Sequence, residues 1–566
     1  MEVTERVEEC IREEQEKKQA KDPAISLPCI GPESETLWHK LDHLLYLPIL
    51  GLTRPRDLYY YQSDGLRVLY GFTYKYLTME HFLGQLTRLG IGDPLATALT
   101  TAYTRAWYPG DIPLSIFADW HVKPHWTKFD SHSGHVTMWG RTMPGTKQLI
   151  LNGPGGYLLG GWNYHIDTHM THILVELEAD LSQTWHRPIL CTILDSEGGG
   201  QPLGERYAQA GQCYLSILAR QYDHPLAAFA LQGDWETVMD DPSREAVFAR
   251  WAEPEKAIAD PRDFVLLRPI GQTEPTRIYT GHIPTEWSAD LVPWIHRRRW
   301  PHNELRIREL VNGANLNENY GYSYDKVPHR TRQRRWHAAQ AKVEVTERKL
   351  TPRRAAIKNL RYQLAQLQEA YQQQYPTLVE QIIHQQRELD QRQQQGNPTR
   401  RCFNRLHRLR QERSNCTSRF LKRQRTLTQR LLQHQCRAGQ FYAQLLERKA
   451  VRDAIDTKTL CRERRLVKDQ IMLNLQILLT NLHDWCKEHY FAPEWQRLTL
   501  EKATQLIYCK SGRVSWHSDR IDVVLDPYRY TEHQQAMEIT CEHFNKSNLR
   551  WRDGRHLIFS VAPHPP

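Results

Sequence analysis

A pair of heptad runs restricts the fold more than any other feature. Ile357, Leu360, Leu364, Leu367, Tyr371, Leu378, Ile382 and Leu389 follow a 3-4 spacing that stops at Gly396-Asn397-Pro398. It resumes with Cys402, Leu406, Leu409, Cys416, Phe420, Leu427, Leu431, Phe441 and Leu445. Apolar residues at this spacing form one stripe on an α-helix. Two such runs separated by a Gly-Asn-Pro break predict an antiparallel coiled-coil hairpin, an arm about 90 Å long at about 1.5 Å per residue. The arm takes residues 328-466, and the rest of the 566-residue chain has to be built on either side of it.

Charge gives the arm a direction. The chain carries a formal charge of +10 with a pI near 8.9. Residues 401-450 hold thirteen Lys or Arg against only Glu412 and Glu447. Most charge runs on helices are solvated faces, but here the bases far outnumber the acids that could pair with them at i,i+4, which favours phosphate-backbone contact. Arg405, Arg408, Lys422 and Arg423 are its DNA-binding candidates, and a polyanion is favoured over a membrane. The eleven cysteines, an odd number without a C-x-x-C pair, read as reduced thiols. The start lacks the pattern of a signal peptide, and no apolar run approaches the roughly 18 residues that span a bilayer. A soluble cytoplasmic protein without a membrane partner is expected.

Residues 1-35 read as a charged, frayed helix and linker. Residues 36-110 show helical spacing, with Leu37, Leu41, Leu44 and Leu45, then Leu66-Arg-Val-Leu-Tyr70, then Met79 to Leu86. They form an all-α unit that is a DNA-binding candidate or a helical cap. From residue 111 to 327 the pattern turns α/β. Strands are expected in the run from Ser115, which ends on Asp119 where the chain should leave the sheet, at Gly134 to Trp139, Lys147 to Leu151 and near Trp162 to Ile166, with a hairpin turn at Gly153-Pro-Gly-Gly156. A helix from Thr171 to Trp185 leads into a strand from Pro188 to Asp195. A β-rich insertion occupies about 215-290, and a helix opens near Pro301. Residues 467-566 read as a buried helix from Ile471 to Trp485 followed by a small α/β module.

Two apolar runs each deliver an aspartate: Ser115-Ile-Phe-Ala-Asp119-Trp-His-Val-Lys123 and Pro188-Ile-Leu-Cys-Thr-Ile-Leu-Asp195. Glu304 follows three arginines, Arg297, Arg298 and Arg299. Hard divalent cations need oxygen ligands, and two ions about 4 Å apart can activate an attacking oxygen and stabilise a leaving one at phosphorus. Asp119, Asp195 and Glu304 suit that ligand set in order and type. Each alone is more often a turn former or helix cap. His165, His169 and His172 match no zinc spacing and read as surface or substrate-facing histidines.

These residues carry a resemblance. Phe117-Ala-Asp119-Trp-His, Ile193-Leu-Asp195-Ser-Glu-Gly, and Arg298-Arg-Trp300-Pro-His-Asn-Glu304 followed by Asn315-Leu-Asn-Glu-Asn-Tyr-Gly321 resemble the DDE transposases of bacterial insertion sequences. The resemblance spans roughly residues 36 to 330. It implies an α/β fold with an RNase H-like catalytic domain carrying a β-rich insertion, flanked by the helical domain, the coiled-coil arm and the C-terminal module. It also implies metal-dependent DNA cleavage and strand transfer at the ends of a mobile element, with Asp119, Asp195 and Glu304 catalytic and holding Mg²⁺ or Mn²⁺ as a pair of ions. Lys123, Arg297, Arg298 and Arg299 would position phosphates. The partners would be double-stranded DNA, both element ends and target, and a second copy in a DNA-bound homodimer associated with the bacterial nucleoid.

One departure matters. In the family pattern Tyr-x2-Arg-x3-Glu-x6-Lys, anchoring on Arg299 puts His296, Asn303 and Leu310 at the other three places. Glu304 is one residue late, about 100° around a helix, and Glu309 is the second candidate. The alternatives are a catalytically inactive transposase-derived DNA-binding protein and a coiled-coil oligomerisation scaffold.

Overall fold

The computed structural model describes residues 2–21, 34–61, 67, 73–219, 224–321, 323–551 and 553–563. It separates into two units, one made of residues 1–326 with 462–566 and the other of residues 327–461. The fold is mixed α/β.

The first unit opens with helices α1 (Glu2–Lys21), α2 (Ser34–Leu45), α3 (Tyr76–Leu89) and α4 (Gly92–Trp107). Val7, Cys10 and Ile11 of α1 are buried, and the helix packs on α4. The expected frayed segment is therefore a docked helix, because a stripe of three small apolar side chains is enough to seat a helix whose other faces are charged. The run from Leu66 to Tyr70 lies outside the described residues, apart from Arg67.

Strands follow at β1 (Leu114–Pro124), β2 (Ser133–Val136), β3 (Arg141–Asn152), β4 (Leu158–His165), β5 (Ile189–Ile193) and β6 (Tyr214–Ile217). Helices α5 (Leu174–Trp185) and α6 (Gln201–Ala210) connect the later ones. β1 lies between β3, antiparallel to it, and β5, parallel to it. β4 pairs antiparallel with β3 through the turn at Gly153 to Gly156, and β6 runs parallel to β5. The strand order across this part is β4-β3-β1-β5-β6.

The β-rich stretch contributes β7 (Phe229–Leu231), β8 (Glu236–Val238), β9 (Asp241–Trp251), β10 (Asp263–Pro269) and β11 (Arg277–His282). It extends the same sheet, because β11 pairs antiparallel with β6 from Tyr214 to Ile217. The chain then forms α7 (Leu291–Arg299), a π-helical turn at Trp300–Glu304, and α8 (Leu305–Gly313).

The second unit is a pair of long helices, α9 (Arg330–Gln394) and α10 (Arg400–Asp453), packed antiparallel. Gly396 turns the chain between them with φ +68°, a conformation that suits a residue without a side chain. Leu360, Ile382, Leu389, Cys402, Leu406, Leu427 and Leu445 are buried along the seam, and Tyr371 stacks on Phe420 at 4.0 Å. The 65 residues of α9 measure about 100 Å. Arg405, Arg408, Lys422 and Arg423 are all exposed on α10.

Helix α11 (Val467–Tyr490) returns to the first unit and is buried on nearly every side. It hides seven large apolar side chains, Ile471, Met472, Leu473, Leu475, Ile477, Leu478 and Leu479. Each contributes about 1.5–3 kcal/mol relative to exposure. Its polar residues bond β4 directly. Gln470 Nε2 donates to Gly161 O at 2.7 Å and its Oε1 accepts from Asn163 N at 2.6 Å, while Asn481 Nδ2 donates to Leu158 O at 2.9 Å. A Cβ on Gly161 would stand 2.9 Å from Ile477 Cδ1, so the helix packs closely on the strand here. The remaining chain forms a hairpin (Gly512–Trp516 and Arg520–Leu525), a helix (Thr531–Lys546) and a strand (His556–Val561) parallel to the second hairpin strand. Among the described residues no helix is long and apolar enough to cross a membrane.

Candidate active site

Pairing between β1 and β5 ends at Phe117↔Ile193. Asp119 and Asp195 each lie two residues beyond that last pair. Side chains along extended chain alternate with period two, so both carboxylates share the face of Phe117 and Ile193. Those two side chains sit in one apolar cluster with Val292 of α7. The register thus presents both aspartates to the helix that carries the arginine run. Asp119 is not at the end of its strand, as the sequence suggests. β1 continues to Pro124, and it is the β5 side that opens beyond Phe117.

The third acid arrives by an irregularity. Pro301 does not begin a helix. It lies inside the π turn that joins α7 to α8, where Leu305 N–H donates to Trp300 O, five residues back. A proline has no N–H to give to a carbonyl four residues back and its ring crowds the helix, which favours a local widening here. A π turn accommodates one extra residue, and it brings Glu304 to Arg299. Asn303, at the place the family pattern reserves for the acid, is fully buried, and its Oδ1 accepts from Asn152 Nδ2 at 2.5 Å. Glu309 faces elsewhere: it pairs with Arg306, and its Oε1 accepts from Leu500 N at 2.9 Å.

All three acids meet one guanidinium. Arg299 Nη1 donates to Asp119 Oδ2 at 2.9 Å, and Nη2 donates to Glu304 Oε1 at 2.5 Å. The same Nη2 lies 3.5 Å from Asp195 Oδ1. The Arg299 side chain is only 11 % exposed. Desolvation pushes the Asp119 pKa up to about 7, with the Asp195 and Glu304 carboxylates adding to the rise and Arg299 opposing it. The site is three carboxylates gathered around one guanidinium.

Beside the acids lies a cavity of about 380 Å³ lined by Arg244, Arg277, Arg297 and Arg299 with Tyr279, His296 and Trp300. Arg297 also pairs with Asp240 and lies 3.4 Å from Asp241. His296 Nε2 lies 3.1 Å from Leu194 O, and desolvation lowers its pKa to about 4, so the ring is neutral near pH 7. Arg298 is exposed and stands over the Trp294 ring at 4.7 Å.

Lys123 is not a phosphate contact. It is 1 % exposed, and its Nζ lies 2.8 Å from Asp469 Oδ1 and 2.8 Å from Glu318 O. Two steps beyond the buried His121, the strand carries it into the interior under α11, where it serves as a buried counter-ion. Sequence reasoning missed Arg244 and Arg277, since isolated arginines on the β-rich stretch have no local signature. It also assigned Arg299 to phosphate alone, because an arginine five residues before an acid does not share its face of an α-helix and meets it here only through the π turn.

No protein-family model matches the chain, and no curated protein matches it in sequence.

Proposed function

We propose that this chain is a metal-dependent DNA strand transferase of the DDE transposase type, with an RNase H-like catalytic domain and a basic coiled-coil arm. The observation that carries the reading is the meeting of Asp119, Asp195 and Glu304 on a single guanidinium. The order β4-β3-β1-β5-β6 supports it, with one acid on the central strand and another just past its parallel neighbour, as an RNase H-like site needs.

Asp119, Asp195 and Glu304 would hold Mg²⁺ or Mn²⁺, as a pair of ions. Such ions supply Lewis-acid stabilisation of charge at phosphorus and an activated oxygen nucleophile. The arginine-lined cavity would bind a backbone phosphate next to the acids and fix the orientation of the scissile bond. His296, neutral, keeps its contact with Leu194 O and so holds α7 against the end of β5. The exposed arginines of α10 would add contacts to phosphates along double-stranded DNA, in a dimer that brings two element ends together.

The test is cleavage of a supercoiled plasmid carrying the element's ends, with Mg²⁺ or Mn²⁺. Wild type should nick and linearise it, and Asp119→Ala should abolish cleavage while end binding persists. A second reading, a transposase-derived DNA-binding protein that no longer cleaves, draws on one observation: Arg299 already occupies the place between the acids. Binding without cleavage by the wild type would select it.

A further inference from the structure

Between β1 and β3 the chain exposes an unusual number of large apolar side chains. Trp126 is 66 % exposed, and Phe129, Met138 and Trp139 are each at least half exposed. A lone exposed apolar residue needs no explanation, but a contiguous aromatic group on a surface marks an interaction site.

Their arrangement is specific. The Trp126 and Trp139 rings stand 5.6 Å apart at 82°, edge to face. The Arg141 guanidinium lies 5.2 Å from the first ring and 6.0 Å from the second. Nearby, the Arg462 guanidinium lies 3.4 Å from the Phe129 ring and 4.2 Å from the Tyr324 ring. Arg462 N donates to Asp130 O at 2.9 Å, which fixes this second group to the same loop. Each arginine backs aromatic rings through cation–π contact, which orients the rings without covering them fully. Residues 124–142 carry Lys128 and Arg141 against the single acid Asp130.

We propose that this loop is a stacking platform for unpaired nucleobases of single-stranded DNA. The exposed face of either indole can stack on a planar base, and every base has such a face. The flanking cations suit the phosphates on either side. A purely apolar protein partner would have no use for guanidinium-backed rings, whereas a polyanion with π faces uses both. The platform does not depend on the acid site, and metal is not needed for it.

The experiment is anisotropy titration of a fluorescent 20-nucleotide oligothymidylate and of a matched duplex, in EDTA, with the full chain. Wild type should bind the single strand. Trp126→Ala/Trp139→Ala should lose roughly tenfold or more in single-strand affinity, with duplex affinity changed less than threefold. Arg141→Lys should give a smaller loss, since lysine keeps the charge but not the planar backing. Thermal unfolding of each variant should match wild type, because the replaced side chains are exposed. Equal single-strand affinity in the double variant, an equal loss on duplex, or no single-strand binding by wild type would overturn the proposal. So would tryptophan-dependent binding to anionic phosphatidylserine vesicles in place of the oligonucleotide.

Discussion

Arg299 Nη1 donates to Asp119 Oδ2 at 2.9 Å, so the acid on the central strand already has a cation beside it. On the proposed reading, the guanidinium and a bound metal ion would compete for the same carboxylate oxygens. Arg299→Ala leaves three carboxylates crowded together without a counter-charge. The variant should unfold at a lower temperature than wild type without metal, and Mn²⁺ should raise its melting temperature more than it raises that of wild type. Calorimetric titration of Mn²⁺ should show tighter binding to the variant. An unchanged Mn²⁺ affinity would remove Arg299 from the metal locus.

The π turn makes a register prediction. Exchanging Asn303→Glu with Glu304→Asn restores the family spacing in sequence but moves the acid to a fully buried position against Asn152. An unpaired buried carboxylate is costly, so the exchange should lower stability by several kcal/mol, on the order of a broken buried pair. Plasmid cleavage should be lost. Retained cleavage would mean that the acid at 303 can reach the other two and that the π turn is not what delivers Glu304.

Lys123 should act on stability and not on DNA. Lys123→Met leaves Asp469 with Arg464, 3.3 Å away, as its remaining cation. The cost expected is on the order of 3 kcal/mol, the lower part of the range for breaking a buried pair. Urea denaturation should show it. Affinity for DNA, measured well below the denaturation midpoint, should be unchanged.

Glu178 should confer a pH dependence. It is 1 % exposed and accepts a hydrogen bond from Tyr207 Oη, and desolvation pushes its pKa up to about 8. The folded state therefore binds a proton that the unfolded state has lost above about pH 4.5. The stability from this group is fully present below the unfolded pKa and is lost as pH rises through about 8. Wild type should melt at a lower temperature at pH 9 than at pH 6, and Glu178→Gln should shrink that difference. An identical pH profile in the variant would assign the dependence to other groups.

The sequence was informative where one local pattern decides the outcome. The runs around Ile116 and Leu190, the hairpin turn at Gly153, the buried helix from Ile471 and the small α/β module after it all appear where the sequence pattern puts them. Asp119 and Asp195 are legible as well, because an acid after an apolar run stands out. Partners distant in sequence are what stayed hidden. Lys123 reads as a surface cation until Asp469, 346 residues away, is known to face it. The β-rich stretch reads as a separate insertion because the pairing of Tyr214 with His282 has no local mark. The widening at Pro301 depends on a balance between a missing hydrogen bond and packing on both sides, and so it looks like an ordinary helix start.

Helix α11 has a consequence for the order in which the chain folds. It supplies the middle of a body whose other parts are largely encoded before residue 327, yet the ribosome makes it only after the whole 327–461 hairpin. At about 5–20 residues per second, synthesis of that hairpin takes on the order of ten seconds. Throughout this interval β4 lacks the side chains that bond its backbone at Leu158, Gly161 and Asn163. The hairpin, built from contacts between neighbouring segments, can complete itself in that time, while the sheet that bears the acids waits for a strand-capping helix still to be translated. A chain broken anywhere in the arm would therefore lose the acid site along with the arm, even though every acid lies upstream of the break.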